Sequence, residues 1–273
     1  MPKIPPLALT RSVGMTTKDI FRWTFRPLFL ACILLHPVFT TFPATAQQTN
    51  LPVVLELFTS QGCADTPAAD GLATNLVSDK DKNVTVLTCH LSLMDIGGWK
   101  DTLANKDCDS RRRRYAKALK IPTAQVPQFV INGAYDTIGQ NNKDVYDLID
   151  KARSTDYIGS IGLKLGADTL DIALPEKEKF EKTAEIWLFA FDREHVVDIN
   201  AGQNAGSCIK YVNVVKHIVK VMYWKGPATN YTMDLKLVPG DGYTVIAQEI
   251  GQGKILAAST VIREEKVLIN SNP

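Results

Sequence analysis

The apolar run Val53-Val54-Leu55-Glu56-Leu57-Phe58 enters the turn Thr59-Ser60-Gln61-Gly62, and Cys63-Ala64-Asp65-Thr66-Pro67 follows. A short, nearly continuous apolar run bounded by a turn is the pattern of a buried strand. Pro67 suits the first turn of a helix, where a missing N–H costs little. Leu72, Leu76 and Val77 then recur at helical spacing. After the polar turn Asp79-Lys80-Asp81-Lys82-Asn83, the run Val84-Thr85-Val86-Leu87-Thr88-Cys89 is a second buried strand. Strand, helix and strand in this order favour a parallel pair. Cys63 then lies at the carboxyl edge of the sheet, where reactive groups gather in open α/β folds.

Residues 1–46 have the pattern of a secretory signal peptide. Lys18, Arg22 and Arg26 precede the apolar core Leu28-Phe29-Leu30-Ala31-Cys32-Ile33-Leu34-Leu35, and Ala44-Thr45-Ala46 supplies small residues for cleavage. His36 and Pro37 interrupt the apolar core, which falls short of the ~20 residues that span a bilayer. The expected product is exported, periplasmic or secreted, with no stable membrane span after cleavage. The leader holds five of the 31 basic residues and one of the 29 acidic residues, which leaves 26 and 28 and a net charge of −2. Nothing in that balance favours nucleic acid. The run Arg111-Arg112-Arg113-Arg114 is local, and a solvated helix face is its default reading.

The remaining chain divides by pattern. Over 47–155, Asp95 to Asp101 is loop-like, and Asp109 to Leu119 is an amphipathic helix with Tyr115, Ala118 and Leu119 inward. Val126-Pro127 precedes the strand Phe129-Val130-Ile131. Asn132-Gly133 is a two-residue hairpin turn leading to Tyr135-Asp136-Thr137-Ile138. A helix from Asn142 to Ala152 closes the segment, with Val145, Leu148 and Ile149 on one face. Over 156–273 seven short strands without helices between them predict a sandwich-like all-β domain: Ile161–Leu165, Thr169–Leu174, Ala184–Phe191, Tyr211–Tyr223, Thr232–Leu237, Thr244–Gln248 and Ile255–Ile262. The boundary is expected between 154 and 159.

The element order of 47–155 is that of a thioredoxin-like α/β domain. In that fold Cys63 sits at a helix start, where N–H groups and the helix dipole stabilise a thiolate, while Asp65 opposes a second negative charge. A dithiol oxidoreductase would carry a second cysteine where Thr66 stands. Pro127 fits the cis-proline that faces the reactive cysteine, against the trans form of ordinary X–Pro bonds. Cys89 ends the strand beside the first, so it is either a second thiol for Cys63 or a buried core cysteine. His90 follows it, as a structural residue or one that modulates a thiolate. Cys108 and Cys208 either pair or stay free. The spacing of cysteines and histidines implies no metal site, and no cofactor is implied.

Beyond the fold, the run from Glu56 to Cys63, with Pro67, Ala69 and Asp70, resembles an exported thioredoxin-like family catalogued as domain of unknown function 1223. His90, Asp95, Gly98-Trp99-Lys100-Asp101, Arg114-Tyr115-Ala116, Pro127-Gln128, Asn132-Gly133, Asn204-Ala205-Gly206 and Asn213-Val214-Val215 also match its pattern. The resemblance implies a thioredoxin-like domain followed by a β-rich one, and no established reaction. The family usually has a cysteine where Thr66 stands and a proline where Ala68 stands. It is more aromatic and acidic where Ser92, Leu93 and Met94 stand.

Two functions follow. The first is a monothiol redox or thiol-capture protein acting through Cys63, with Cys89 or an external thiol resolving the product. The second is a catalytically degenerate binding module of the cell envelope. In both, Thr66, Val126, Pro127 and His90 border the groove that takes a partner, expected to be a thiol-containing envelope protein or a peptide.

Overall fold

Strands β1 (Val53–Thr59) and β2 (Val84–His90) run in parallel, from Val53 opposite Val84 to Thr59 opposite His90. Helix α1 (Thr66–Ser78) is the crossover that allows two consecutive strands to point the same way. The computed structural model describes residues 52–92, 98–121, 125–139, 141–154, 157–178 and 183–264. The leader expected over 1–46, Asp95, and positions 155 and 156 of the expected boundary lie outside the described residues.

Strand β3 (Gln128–Ile131) pairs antiparallel with the other side of β1, and β4 (Tyr135–Ile138) pairs with β3. The turn between them has Asn132 at φ 47° and Gly133 at φ 63°, the left-handed pair that a tight hairpin demands. A Cβ on Gly133 would lie 2.4 Å from the Gly253 carbonyl oxygen, so the position also needs glycine for space. Helices α2 (Lys106–Ala118) and α3 (Asn142–Ala152) start at Asn105 and Asn141, whose side chains accept from the backbone N–H of Asp107 and Lys143. These caps satisfy donors that a helix start leaves open.

The second half supplies β5 (Gly162–Leu165), β6 (Thr169–Leu174), β7 (Ala184–Asp198), β8 (Cys208–Trp224), β9 (Thr229–Asp234), β10 (Gly242–Glu249) and β11 (Ile255–Ile262). The fold is mostly β, with a mixed eight-stranded sheet in the order β11-β10-β7-β8-β2-β1-β3-β4. Strand β8 joins β2 in parallel at Val214 opposite Thr88, so the sheet crosses the boundary expected between 154 and 159. The described residues from 52 to 264 fall within one compact unit. A three-stranded sheet, β5-β6-β9, lies over one end, where Leu170, Ile172 and Leu174 pack with Ile186, Leu188 and Val245. The strands expected in one all-β domain are thus divided between the two sheets.

Strands β7 and β8 span 15 and 17 residues, longer than the sequence suggested. Their outer parts form a ribbon in which Arg193, Glu194, Val196, Cys208 and Lys210 are exposed. With neither face buried there, no apolar alternation marks the strand.

Strand β1 is buried throughout and has two distinct faces. Val53, Leu55 and Leu57 pack with Leu72, Leu76, Val145 and Ile149 of α1 and α3. Val54 and Phe58 pack on the opposite side with Cys108 and Tyr115 of α2, and with Phe189 and Phe191 of β7. Alternation along a strand assigns Glu56 to the α2 side and Thr59 to the α1 side.

Candidate functional site

From Thr59 the chain turns through 60–63 into α1. The Cys63 residue is 7% exposed and forms no disulfide. Its Sγ lies 3.9 Å from the carbonyl oxygen of Val126, at the outer range of a thiol hydrogen bond. The Val126–Pro127 peptide is cis, as its place in the element order suggested. At the position where a dithiol oxidoreductase carries its second cysteine, the buried Thr66 hydroxyl lies 2.7 Å from the Ser60 carbonyl oxygen and 3.0 Å from that of Cys63. A hydroxyl has one proton to donate, so these two carbonyls share it.

The loop is held from two further sides. Gln61 N–H donates to Asp101 Oδ2 at 2.9 Å. The Gln61 side-chain oxygen accepts from Trp99 Nε1 at 2.9 Å and from Thr102 N–H at 3.0 Å. Across the loop, Asn204 Nδ2 donates to the carbonyl oxygens of Gln61 at 2.9 Å and Cys63 at 2.7 Å. Gln203 N–H donates to the Gly62 carbonyl oxygen at 3.3 Å, and Ala64 N–H donates to Gln203 Oε1 at 3.1 Å. Asn204 and Gln203 belong to the connection between β7 and β8. A segment about 140 residues downstream therefore closes the Cys63 loop. The only sequence signal for it was the resemblance at Asn204-Ala205-Gly206.

Behind the loop lies a buried acid. Asp70, one helical turn below Thr66, is 2% exposed, and neither carboxyl oxygen has a hydrogen-bond partner. Thr59 Oγ1, His90 Nε2 and Tyr211 Oη are also buried and unpartnered. Burial pushes the Asp70 carboxyl up to about 7, against the opposing pull of His90 and of the nearby Thr59 and Thr66 hydroxyls. Asp101 adds a smaller upward push. His90 Nδ1 lies 2.9 Å from Asp101 Oδ2, the same oxygen that accepts from Gln61 N–H. Tyr211 crosses the His90 ring edge-on at 4.6 Å, and burial together with Asp70 and Asp101 raises its phenol well above the usual range. The signal for this cluster was a carboxylate on the apolar face of α1, at the helical spacing of Thr66 and Ala73.

Several expectations are corrected. Cys89 is bonded to Cys108, with Cα atoms 5.4 Å apart, which lies within the range a disulfide bridges. It therefore offers no thiol to Cys63, and the alternative pairing of Cys108 with Cys208 is closed; Cys208 is exposed and unbridged. Thr66 and His90 are fully buried, so neither presents a side chain to a partner at the surface. The arginine run is not a solvated face. Arg111 is fully buried and Arg112 nearly so, while Arg113 and Arg114 are exposed. Ala118, expected inward, is exposed.

Glu56 is the reason that Arg111 turns inward. Arg111 Nε contacts Glu56 Oε2, and its Nη2 donates to Glu56 Oε1 at 2.8 Å and to Gln248 Oε1 at 3.1 Å. Tyr115 Oη donates to Glu56 Oε1, and Gln248 Nε2 donates to Tyr115 Oη at 3.0 Å. Burial lowers the Arg111 guanidinium, but Glu56 and Tyr115 outweigh it and hold the group above its ordinary value. An acid inside an otherwise apolar strand was the available signal, because a buried carboxylate needs a partner.

Among the described residues, no group of three or more His, Cys, Asp and Glu is placed to hold a metal ion. No helix among them is long and apolar enough to cross a membrane. A groove of about 820 Å³, lined by residues including Val84, Thr85, Arg193, Lys210 and Asn213, takes in none of the Cys63 loop.

Comparison with known proteins gives a family match over residues 54–248, described as "Protein of unknown function (DUF1223)". No curated protein matches. A structural-genomics crystal structure of an Agrobacterium tumefaciens protein is similar at 26% identity, with a TM-score of 0.68 over 80% of this chain and 97% of that one. A Kluyveromyces marxianus β-glucosidase aligns at 14% identity over 39% of this chain and 14% of that one, with a TM-score of 0.20.

Proposed function

We propose, for a chain that belongs to the DUF1223 family of proteins of unknown function, that it is an exported thioredoxin-like protein that captures partner cysteines through the single thiol of Cys63. The observation that carries this reading is the placement of Cys63 Sγ beside the carbonyl of Val126, which precedes cis-Pro127. The carboxyl edge of the parallel β1–β2 pair is also where a reactive group is best served by the fold. A disulfide between Cys89 and Cys108 suits an oxidising compartment.

In the capture step the Cys63 thiolate attacks one sulfur of a partner disulfide. A bond forms between Cys63 Sγ and that sulfur, the partner's S–S bond breaks, and its other sulfur leaves as a thiolate. With Thr66 at the usual second position and Cys89 bonded to Cys108, an external thiol has to release the partner. Val126 and Pro127 are the residues beside which the partner's backbone would lie.

A second reading is a binding module without thiol chemistry. It is favoured by the low exposure of Cys63, at 7%, under a loop tied by Asn204, Thr66 and Asp101. The two are separated by incubating a Cys208→Ser variant with a disulfide-containing peptide and mapping the product by mass. One mixed disulfide per chain at Cys63, stable until a small thiol is added, is the expected result. A folded protein that leaves Cys63 unmodified would overturn the capture reading in favour of the binding module.

A further inference from the structure

Four side chains from four elements meet behind the Cys63 loop with buried polar atoms that have no partner at hydrogen-bonding distance: Asp70 of α1, Thr59 of β1, His90 of β2 and Tyr211 of β8. Buried polar groups are ordinarily paired, so a cluster of orphaned atoms calls for a physical role. Two links run from this cluster to the Cys63 loop. One is the Thr66 hydroxyl, which reaches the Ser60 and Cys63 carbonyls and also acts on Asp70 from one helical turn away. The other is His90, whose partner Asp101 accepts from Gln61 N–H.

We propose that Asp70 and Thr66 are positioning residues for Cys63: the Thr66 hydroxyl fastens the 60–63 loop while Asp70 is a neutral acid, and turns to Asp70 when that acid gives up its proton. The competition follows from the hydroxyl's single proton. A neutral carboxyl is a weaker acceptor than the backbone carbonyl of Ser60. A carboxylate is a stronger one, because hydrogen bonds to ionised acceptors are roughly twice as strong as neutral ones. The proton released by Asp70 passes to solvent. The Ser60 and Cys63 carbonyls lose their hydroxyl donor, the loop loosens, and the thiol, 7% exposed in the fastened state, becomes accessible.

The groups that face Asp70 set the pH at which this happens. His90 and the Thr59 and Thr66 hydroxyls favour its ionisation, while burial and Asp101 oppose it, and the balance brings the carboxyl to about 7. Tyr211, facing it from β8, stays a neutral phenol throughout, because burial and the two carboxylates raise it. The switch therefore works across neutral pH, with the fastened state below and the open state above.

This inference rests on Cys63 being the reactive group, but its test uses no partner protein. In a Cys208→Ser background, the rate of Cys63 alkylation by iodoacetamide is measured from pH 5.5 to 9 and resolved by mass at the Cys63 peptide. The parent is expected to show a step near pH 7 on top of the thiol's own titration. Asp70→Asn should match the parent at pH 6, lack the step, and react about tenfold more slowly at pH 8, the effect of keeping one loop hydrogen bond. Thr66→Val should react fast at both pH values, and Thr66→Ser should restore the step. Superimposable profiles for Asp70→Asn and the parent would overturn the proposal. So would an Asp70→Asn variant whose stability departs from the parent's as pH rises while its alkylation profile stays the parent's, since the cluster would then bear on stability alone. If the step appears but no disulfide peptide is captured, the clasp stands and the capture reading falls. Capture without a step gives the reverse.

Discussion

The two faces of β1 each bury an acid, and they treat it in opposite ways. On the α2 side, Glu56 receives Arg111, Tyr115 and, through them, Gln248, in a network in which its carboxylate oxygens are all engaged. On the α1 side, Asp70 has neither oxygen bonded, and Thr59, His90 and Tyr211 each keep an orphaned atom beside it. A connected polar network holds one arrangement, because every member loses a partner if any other moves. An unconnected cluster keeps a proton that can come and go. The first face ties β1 to α2 and to β10. The second lies under the Cys63 loop, where a change of charge can be felt by the thiol.

The sharpest way to break the comparison is at Glu56. Glu56→Gln leaves Arg111 buried without its countercharge, and removing one partner of a buried pair costs about 3–5 kcal/mol. Urea unfolding measures that loss, and a variant as stable as the parent would mean that the α2-side network is not a fixed link.

The second variant should act with the opposite sign. The Asp70 carboxyl is raised from 3.8 to about 7 on folding, so the folded state is penalised for ionising it. The penalty is absent below about pH 4, grows up to pH 7 and is complete above it. Asp70→Asn is therefore expected to be as stable as the parent at pH 4 and more stable at pH 8, by up to ~4 kcal/mol for about three pKa units. Thermal unfolding across that range checks the sign, and a destabilised variant at pH 8 would place a missing partner on Asp70.

A smaller effect is expected at Asn204. Asn204→Ala removes two donors to the Cys63 loop and should cost ~1–2 kcal/mol. Its clearer readout is faster alkylation of Cys63. An unchanged rate would assign the closing of the loop to Thr66 and Asp101 alone.

Much of the first half was legible because its elements are local. Pro67, Asn132-Gly133 and the two apolar runs each declare a helix start, a hairpin or a strand within a few residues. The position of Cys63 and the cis bond at Pro127 followed from that order. What the sequence hid is long-range. Arg111 sits in a run of four arginines, and only the carboxylate of Glu56, 55 residues earlier, draws it inward. Cys89 could pair with any of three cysteines on paper, and the approach of α2 to β2 decides for Cys108. Asn204 reaches Cys63 because β7 and β8 extend as a polar ribbon that no apolar alternation announces. The eight-stranded sheet is hidden for the same reason, since β8 meets β2 at one residue pair, Thr88 and Val214.

The most direct test of the central claim is a non-reducing peptide map of the folded protein after brief exposure to a small disulfide reagent. The expected map has Cys89 linked to Cys108, and the reagent's half attached to Cys63 by a mixed disulfide. A peptide in which Cys63 is joined to Cys89 or to Cys108 would contradict it, because the thiol would then have an internal partner after all.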